Sequence, residues 1–253
     1  MIDKILNINH NNDTHGIILQ LPLPLHIDQQ KALSCISPTK DLDGLTPLNI
    51  GLLHASKYVP YSISEVLQFM QNTINNQSSV VSLNAKDFVN KINNLGITTP
   101  FIPCTPLGCH YLIEATFNTN KEKIVGKNAV VIGNSNLVSK PMARLLLQSG
   151  ATVTTLHSKS RNIQHIIDNA DIIVSATGHS QALTNIKRNA ILIDVGIRTN
   201  TQSNGVVGDL DYQLLSKTNK ITPVPKGVGP MTVATLMLNS VLAGLKAFHS
   251  RQK

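Results

Sequence analysis

From Lys127 onward the chain alternates short apolar runs with helix-patterned segments, and this alternation restricts the fold more than any other feature. Asn128–Gly133 (Asn-Ala-Val-Val-Ile-Gly) is an apolar run ending in glycine, and Pro141–Gln148 follows with Met142, Leu145 and Leu146 at helical spacing. Ala151–Leu156 is β-branched, and Ile163–Ala170 reads as a short helix. Asp171–Ala176 and Ala190–Gly196 are nearly continuous apolar runs, the pattern of strands covered on both faces. Strands separated by helices predict an α/β fold with a doubly wound parallel sheet. The last helix, about Met231–Phe248, carries Val233, Met237, Val241, Leu245 and Phe248 on one stripe, which predicts a buried face.

The first half is less regular. His15–Leu21 predicts a strand and Asp28–Ser34 a short helix. Ser62–Ile74 and Ala85–Ile97 are amphipathic helix candidates, joined by the polar stretch Asn75–Ser79. The expected division is a first lobe over 1–126, a nucleotide-binding lobe over 127–230, and a closing helix over 231–253 that packs back on the first lobe.

Composition narrows the chemistry. Hydrophobic residues are 42%, enough for a real core, and no apolar run reaches the roughly 18 residues that a bilayer requires, so no membrane partner is expected. The opening residues show no charged n-region or long apolar stretch and predict no secretory leader. Three cysteines without a Cys-x-x-Cys argue against a disulfide framework and a cysteine zinc site, and the nine histidines lack ligand spacing; no metal is assigned. The net charge of +8 leaves two readings, a basic soluble surface or an anionic small ligand. Aromatics are 4% and the basic residues are scattered, so nucleic acid is not expected.

Gly133-Asn-Ser-Asn-Leu-Val-Ser-Lys-Pro141 follows a strand and opens a helix, where backbone N–H groups meet a pyrophosphate. With one of the usual three glycines, the loop alone also fits an ordinary strand-to-helix turn. An NAD site usually carries an acid after the next strand. Here the stretch is His157-Ser158-Lys159-Ser160-Arg161, which offers hydroxyls and cations to a 2′-phosphate and points to NADP.

Four segments carry a family resemblance: Gly16-Ile-Ile-Leu-Gln-Leu-Pro-Leu-Pro24; Lys40-Asp-Leu-Asp-Gly44 with Pro47-Leu-Asn49; Pro103-Cys-Thr-Pro106; and Pro223-Val-Pro-Lys-Gly-Val-Gly-Pro-Met-Thr-Val233. The chain resembles the bifunctional methylenetetrahydrofolate dehydrogenase/methenyltetrahydrofolate cyclohydrolase family. The resemblance implies two α/β lobes around a cleft, the C-terminal one Rossmann-like, in a homodimer, and NADP-dependent oxidation of 5,10-methylenetetrahydrofolate followed by hydrolysis to 10-formyltetrahydrofolate. It implies a cytoplasmic enzyme, or a mitochondrial one, of one-carbon metabolism that serves purine biosynthesis. Gln20 and Asp43 take the catalytic positions. Leu19, Gln20, Leu21 and Asp43, with Pro225, Lys226, Gly227, Val228 and Gly229, take the folate positions. Gly133, Asn134, Ser135, Ser158 and Ile197 take the NADP positions, and Lys159 joins them on its charge.

The chain also departs from the family. The family's N-terminal segment carries a Tyr-x-x-x-Lys motif whose lysine is the central acid/base group, and no Tyr-x-x-x-Lys occurs in these residues. That predicts a chain without its N-terminal segment and weak catalysis, the cyclohydrolase the weaker. The alternatives are a non-catalytic NADP-binding or dimerising paralogue, or an incomplete gene product. An insertion spans about 57–99, either a cover for the first lobe, an extension of the dimer, a surface insertion, or a gene-model error. Ser139 and Lys226 stand where the family has glycine, which predicts backbone strain at both.

Overall fold

A computed structural model of the chain describes residues 1–55, 100–119, 123–180, 183, 186–199 and 205–250. It divides into two compact units, Met1–Cys104 with Leu236–Lys253, and Thr105–Thr235. The helix candidates Ser62–Ile74 and Ala85–Ile97, and the insertion over 57–99, lie outside the described residues.

The second unit is built on a five-stranded sheet of β1 (Asn128–Ile132), β2 (Thr152–Leu156), β3 (Ile172–Ser175), β4 (Ile191–Asp194) and β7 (Lys220–Ile221). The order is β2-β1-β3-β4-β7, and every pairing is parallel. Alternate residues serve opposite faces. Ala129, Val131, Ile172, Val174, Ile191 and Ile193 pack with Cys109, Ile113 and Phe117 of α4 (Cys104–Thr119) and with Met142 and Leu146 of α5 (Ser139–Gln148). Val130, Ile132, Ile173 and Leu192 pack on the other face with Ile167 of α6 (Ile163–Asp168) and Leu215 of α7 (Tyr212–Leu215). The apolar runs are continuous because both faces are covered, and each fully buried Ile, Leu or Val contributes about 1.5–3 kcal/mol. Two short strands, β5 (Arg198–Thr199) and β6 (Val206–Val207), pair antiparallel as a separate sheet.

Just past the end of α5, Gly150 at φ +85 turns the chain away from the helix while its N–H donates to the Leu147 carbonyl. Helix α4 escaped the sequence reading because almost its whole first half is buried, so it shows no one-sided stripe. It belongs to the second unit from Thr105 onward, whereas the sequence had placed the boundary near Gly126.

Among its described residues the first unit has little sheet. The helices described there are α1 (Ile2–His10), α2 (Gln29–Ser34), α3 (Pro47–Ala55) and the latter part of α8 (Val228–Ser250). The strand expected over His15–Leu21 is reduced to one parallel bridge, Ile17 with Asp41. A β-patterned segment becomes a strand only where a neighbour takes its hydrogen bonds, and the described residues provide two: Ile17 N to Lys40 O, 2.6 Å, and Leu42 N to Ile17 O, 3.2 Å. Side chains do much of the remaining work. Lys40 Nζ donates to the carbonyls of Ile8, Asn9 and Asn11 at 3.1, 2.7 and 2.7 Å and so caps the end of α1. Asp28 caps α2 by accepting from Lys31 N at 3.0 Å.

Of the apolar stripe expected to be buried on α8, the first three residues face outward, and the side chains of Leu245 and Phe248 lie outside the described residues. Val233, Met237 and Val241 are 60%, 64% and 48% exposed, and the buried face is Thr235, Asn239, Leu242 and Ala243. Both faces of this helix carry apolar residues, so periodicity could not select between them. Leu242 and Ala243 instead close a core with Leu42 and Phe101.

Candidate active site

In the second unit the loop after β1 sits at the switch point of the sheet, where the chain leaves β1 for β2 on one side and β3 on the other. Such points are where open α/β sheets bind ligands. Gly133 has φ +134, and a Cβ there would lie 2.5 Å from Ser139 Oγ and 2.6 Å from the Ala176 carbonyl. No other residue fits, and the backbone after it is left bare for a phosphate to approach. Ser135 Oγ accepts from Val138 N at 3.1 Å and Ser139 N at 3.3 Å, which fixes the loop as it enters α5. Asn134 is exposed beside it. The strain expected at Ser139 is not there: Ser139 is a buried first residue of α5 and not among the positive-φ residues. A helical first turn replaces the left-handed turn that would have required glycine.

After β2 the chain closes a tight turn. Ser160 N donates to His157 O at 2.8 Å, His157 N to Ser160 Oγ at 3.0 Å, and Lys159 N to His157 Nδ1 at 3.2 Å. The histidine is thereby a turn element, and Ser158, Lys159 and Arg161 are exposed. Because β1 and β2 are adjacent and parallel, the Gly133 loop and the Ser158–Lys159 turn leave the same edge of the sheet. A glycine cradle next to exposed cations fits a phosphorylated dinucleotide. Ile197, 73% exposed, follows the end of β4.

Sequence reasoning missed a pair of buried carboxylates beside these loops. Asp209 Oδ2 accepts from Ser175 Oγ, Thr177 N, Thr177 Oγ1 and Gly178 N at 3.0, 2.9, 2.9 and 3.3 Å. Asp194 accepts from Gly196 N, Asp209 N and Leu210 N at 3.1, 2.9 and 2.8 Å. Burial raises the Asp194 carboxyl above its ordinary value, the backbone donors oppose the rise, and the Asp209 charge adds to it. Together the two fix the segments that leave β3 and β4. Their signal was an acid closing an otherwise apolar strand, Ile-Leu-Ile-Asp.

The turn before α8 carries the other unusual residue. Lys226 has φ +79, in the left-handed region, as its position in the glycine pattern predicts. It is exposed, as are Pro225 and Gly229, whereas Gly227 is half-buried and Val228 is buried against the sheet's core.

In the first unit, Gln20 and Asp43 are carried by the two segments that the Ile17–Asp41 bridge aligns in parallel. Each lies two or three residues beyond the bridge, so both sit toward the same end of it. Gln20 is exposed, and its Nε2 donates to Leu21 O at 3.3 Å. Leu19 packs against the Ile5, Leu33 and Ile36 cluster, and Leu21 is half-buried. Asp43 is half-buried. Burial raises its carboxyl above the ordinary value, a hydrogen bond with the Cys104 side chain opposes this, and the neighbouring Asp41 charge adds to it. Asp41 is itself buried and accepts at Oδ2 from Thr46 N at 2.7 Å and Asn49 Nδ2 at 2.8 Å. Gly44, at φ +65, lets the turn pass against the Phe101 carbonyl, which a Cβ would strike.

Residues 103–248 match the tetrahydrofolate dehydrogenase/cyclohydrolase NAD(P)-binding domain, and residues 1–43 match the catalytic domain of the same family. The chain is similar to the bifunctional protein FolD of Rickettsia bellii (strain RML369-C), with 40% identity over 246 residues, covering 96% of this chain and 71% of the relative. The FolD of Rickettsia rickettsii (strain Sheila Smith) is 41% identical over 246 residues, covering 96% and 70%. Among solved structures, the bifunctional FolD methylenetetrahydrofolate dehydrogenase/cyclohydrolase of Campylobacter jejuni superposes with TM-score 0.73 at 35% identity, covering 99% of this chain and 72% of that one. The Trypanosoma brucei N5,N10-methylenetetrahydrofolate dehydrogenase-cyclohydrolase, complexed with NADP cofactor and inhibitor, gives 0.71 at 32%, covering 97% and 71%.

Proposed function

This chain belongs to the tetrahydrofolate dehydrogenase/cyclohydrolase family, and on that premise we propose which of its residues do the work. The family's reactions are the oxidation of 5,10-methylenetetrahydrofolate to 5,10-methenyltetrahydrofolate and its hydrolysis to 10-formyltetrahydrofolate, in folate one-carbon metabolism. NADP is the cofactor and supplies the hydride acceptor. The non-catalytic reading is not favoured, since the similarity runs through the folate-side segment as well as the nucleotide-side one.

On the nucleotide side, Gly133, Asn134 and Ser135 hold the pyrophosphate, and Ser158 with Lys159 holds the 2′-phosphate. Ile197 lines the cofactor's path. The observation that carries this is the Gly133 cradle at the sheet's switch point next to the cationic turn after β2. On the folate side, ionised Asp43 accepts from the adjacent amide N–H and exocyclic amine of the pterin. Gln20 orients the reacting ring by its amide, which does not titrate. Leu19 and Leu21 flank it, and the family pattern assigns Pro225, Lys226, Gly227, Val228 and Gly229 to the folate too. The family resemblance also supports a homodimer, a cytoplasmic setting and a 10-formyl product that feeds purine biosynthesis. No helix among the described residues is long and apolar enough to cross a membrane.

The test is 5,10-methylenetetrahydrofolate-dependent formation of NADPH, together with calorimetry. NADP should bind more tightly than NAD, and Lys159→Ala should weaken NADP about tenfold while leaving NAD nearly unchanged. Absence of both turnover and folate binding would overturn the assignment, and equal affinity for NAD would overturn the role of Lys159.

A further inference from the structure

We propose that the buried Asp194–Asp209 pair makes the cofactor site selective for the oxidised cofactor, because its charge lies beneath the place where the nicotinamide ring, cationic in NADP⁺ and neutral in NADPH, comes to rest. This rests on the NADP reading of the Gly133 loop and the Ser158–Lys159 turn.

The register of the sheet fixes the place. Leu156, Ile132, Ser175 and Asp194 stand in one row across β2, β1, β3 and β4, so the chain leaves all four strands along one edge. The turn proposed for the 2′-phosphate follows β2, and the glycine cradle follows β1. A dinucleotide anchored at those two points runs on over β3 and β4, away from β2. Neighbouring strands lie about 4.8 Å apart, so the end of β4 is about 10 Å from the cradle, within reach of a nicotinamide riboside held by its phosphate. Ile197, exposed just past β4, is on that path.

The two acids lie under it. Asp209 and Asp194 are 1% and 3% exposed, whereas Ile197 and Gly178, whose N–H donates to Asp209 Oδ2, are at the surface. Two glycines admit the carboxylates: a Cβ on Gly196 would strike Asp209 Oδ1, and one on Gly208 would strike Asp194 Oδ2. Both carboxyl groups only accept hydrogen bonds, as ionised acids do. Asp209 is lopsided. Its Oδ2 takes the donors of Ser175, Thr177 and Gly178, and its Oδ1 is buried without a hydrogen-bond partner. Among the described residues no cationic side chain pairs with either carboxylate. Arg198 enters the same turn, but its Nε and Nη2 donate to Gly208 O at 3.0 and 2.6 Å. A buried anion with one bare oxygen attracts a cation brought close to it, and salt screens little of that attraction. The phosphates are common to both forms of the cofactor, so Lys159 and Arg161 do not separate them, whereas the ring charge does.

The experiment is calorimetry with NADP⁺, NADPH and 2′-phospho-ADP-ribose, which lacks the nicotinamide, on the parent chain and Asp209→Asn. Asparagine keeps an oxygen for the donors at Oδ2 and removes the charge. The parent should bind NADP⁺ more tightly than NADPH. Asp209→Asn should weaken NADP⁺ about tenfold, and NADPH and 2′-phospho-ADP-ribose less than twofold. Equal weakening of NADP⁺ and NADPH in a cooperatively melting variant overturns the proposal and leaves Asp209 as a holder of the Thr177–Gly178 loop. Unchanged affinity for all three overturns it as well. NADPH bound by the parent as tightly as NADP⁺ overturns it whether or not the variant folds. A parent that binds none of the three overturns instead the cofactor reading on which this depends.

Discussion

The two units hold their backbones in different ways. In Thr105–Thr235, five parallel strands take up one another's N–H and C=O groups, and apolar side chains fill both faces. Among the described residues of the first unit a single bridge stands in place of a ladder, and Lys40, Asn9, Asp41, Asn49 and Asn239 accept or donate where strands would have done so. Both satisfy the same requirement, that a buried peptide group find a partner. One does it by repetition, the other by particular side chains. The first unit should therefore be sensitive to losing single polar residues, and the second to losing volume.

The largest effect is expected for Leu192→Ala. Leu192 of β4 is fully buried in the cluster that includes Ile173, Ile167 and Leu215, and truncation should cost about 4 kcal/mol, read as faster hydrogen exchange across β1–β4 with little change over residues 1–55. A loss under 1 kcal/mol would mean that the sheet unit does not depend on volume. Next is pH. His110 on α4 is fully buried, its Nε2 paired with Ser149 Oγ at 2.7 Å and its Nδ1 without a partner, with Glu114 Oε2 at 3.9 Å. Burial lowers its pKa from 6.5 to about 4. Below 6.5 the unfolded chain takes a proton that the folded chain refuses, so stability falls with pH through this window, by about 3 kcal/mol at pH 4. Urea unfolding at several pH values measures it, and His110→Gln should flatten the slope. An unchanged slope in that variant would assign the effect elsewhere. The smallest of the three is Asn49→Ala. It strips Asp41 Oδ2, Pro38 O and Phe101 N of hydrogen-bond partners and should cost about 2 kcal/mol, opening the amides near Phe101 without disturbing the sheet. Comparable opening in β1–β4 would erase the distinction between the units.

What was legible in the sequence follows the same division. The strands of the second unit were readable because burial on both faces makes residues 172–174 and 191–193 apolar without interruption. The nucleotide loop was readable because one backbone position admits only glycine. Gln20 and Asp43 came from motif resemblance, not from any local pattern. Asn239 left no such trace: an asparagine within an apolar helix reads as an interruption until its acceptors, 197 and 137 residues away in sequence, are known.

By itself, then, the sequence determined the alternation that makes the parallel sheet and the glycine at its switch point, since each follows from local sterics or from a period of two or 3.6 residues, whereas the left-handed position at Lys226 was read from the family's glycine pattern. Tertiary structure alone decided which face of α8 is buried, that His15–Leu21 makes one bridge and no strand, and that Ser139 enters a helix without strain. The reason is the same in each case. These outcomes depend on which distant group stands opposite, and a hydrogen bond or an apolar contact acts across space without regard to separation along the chain.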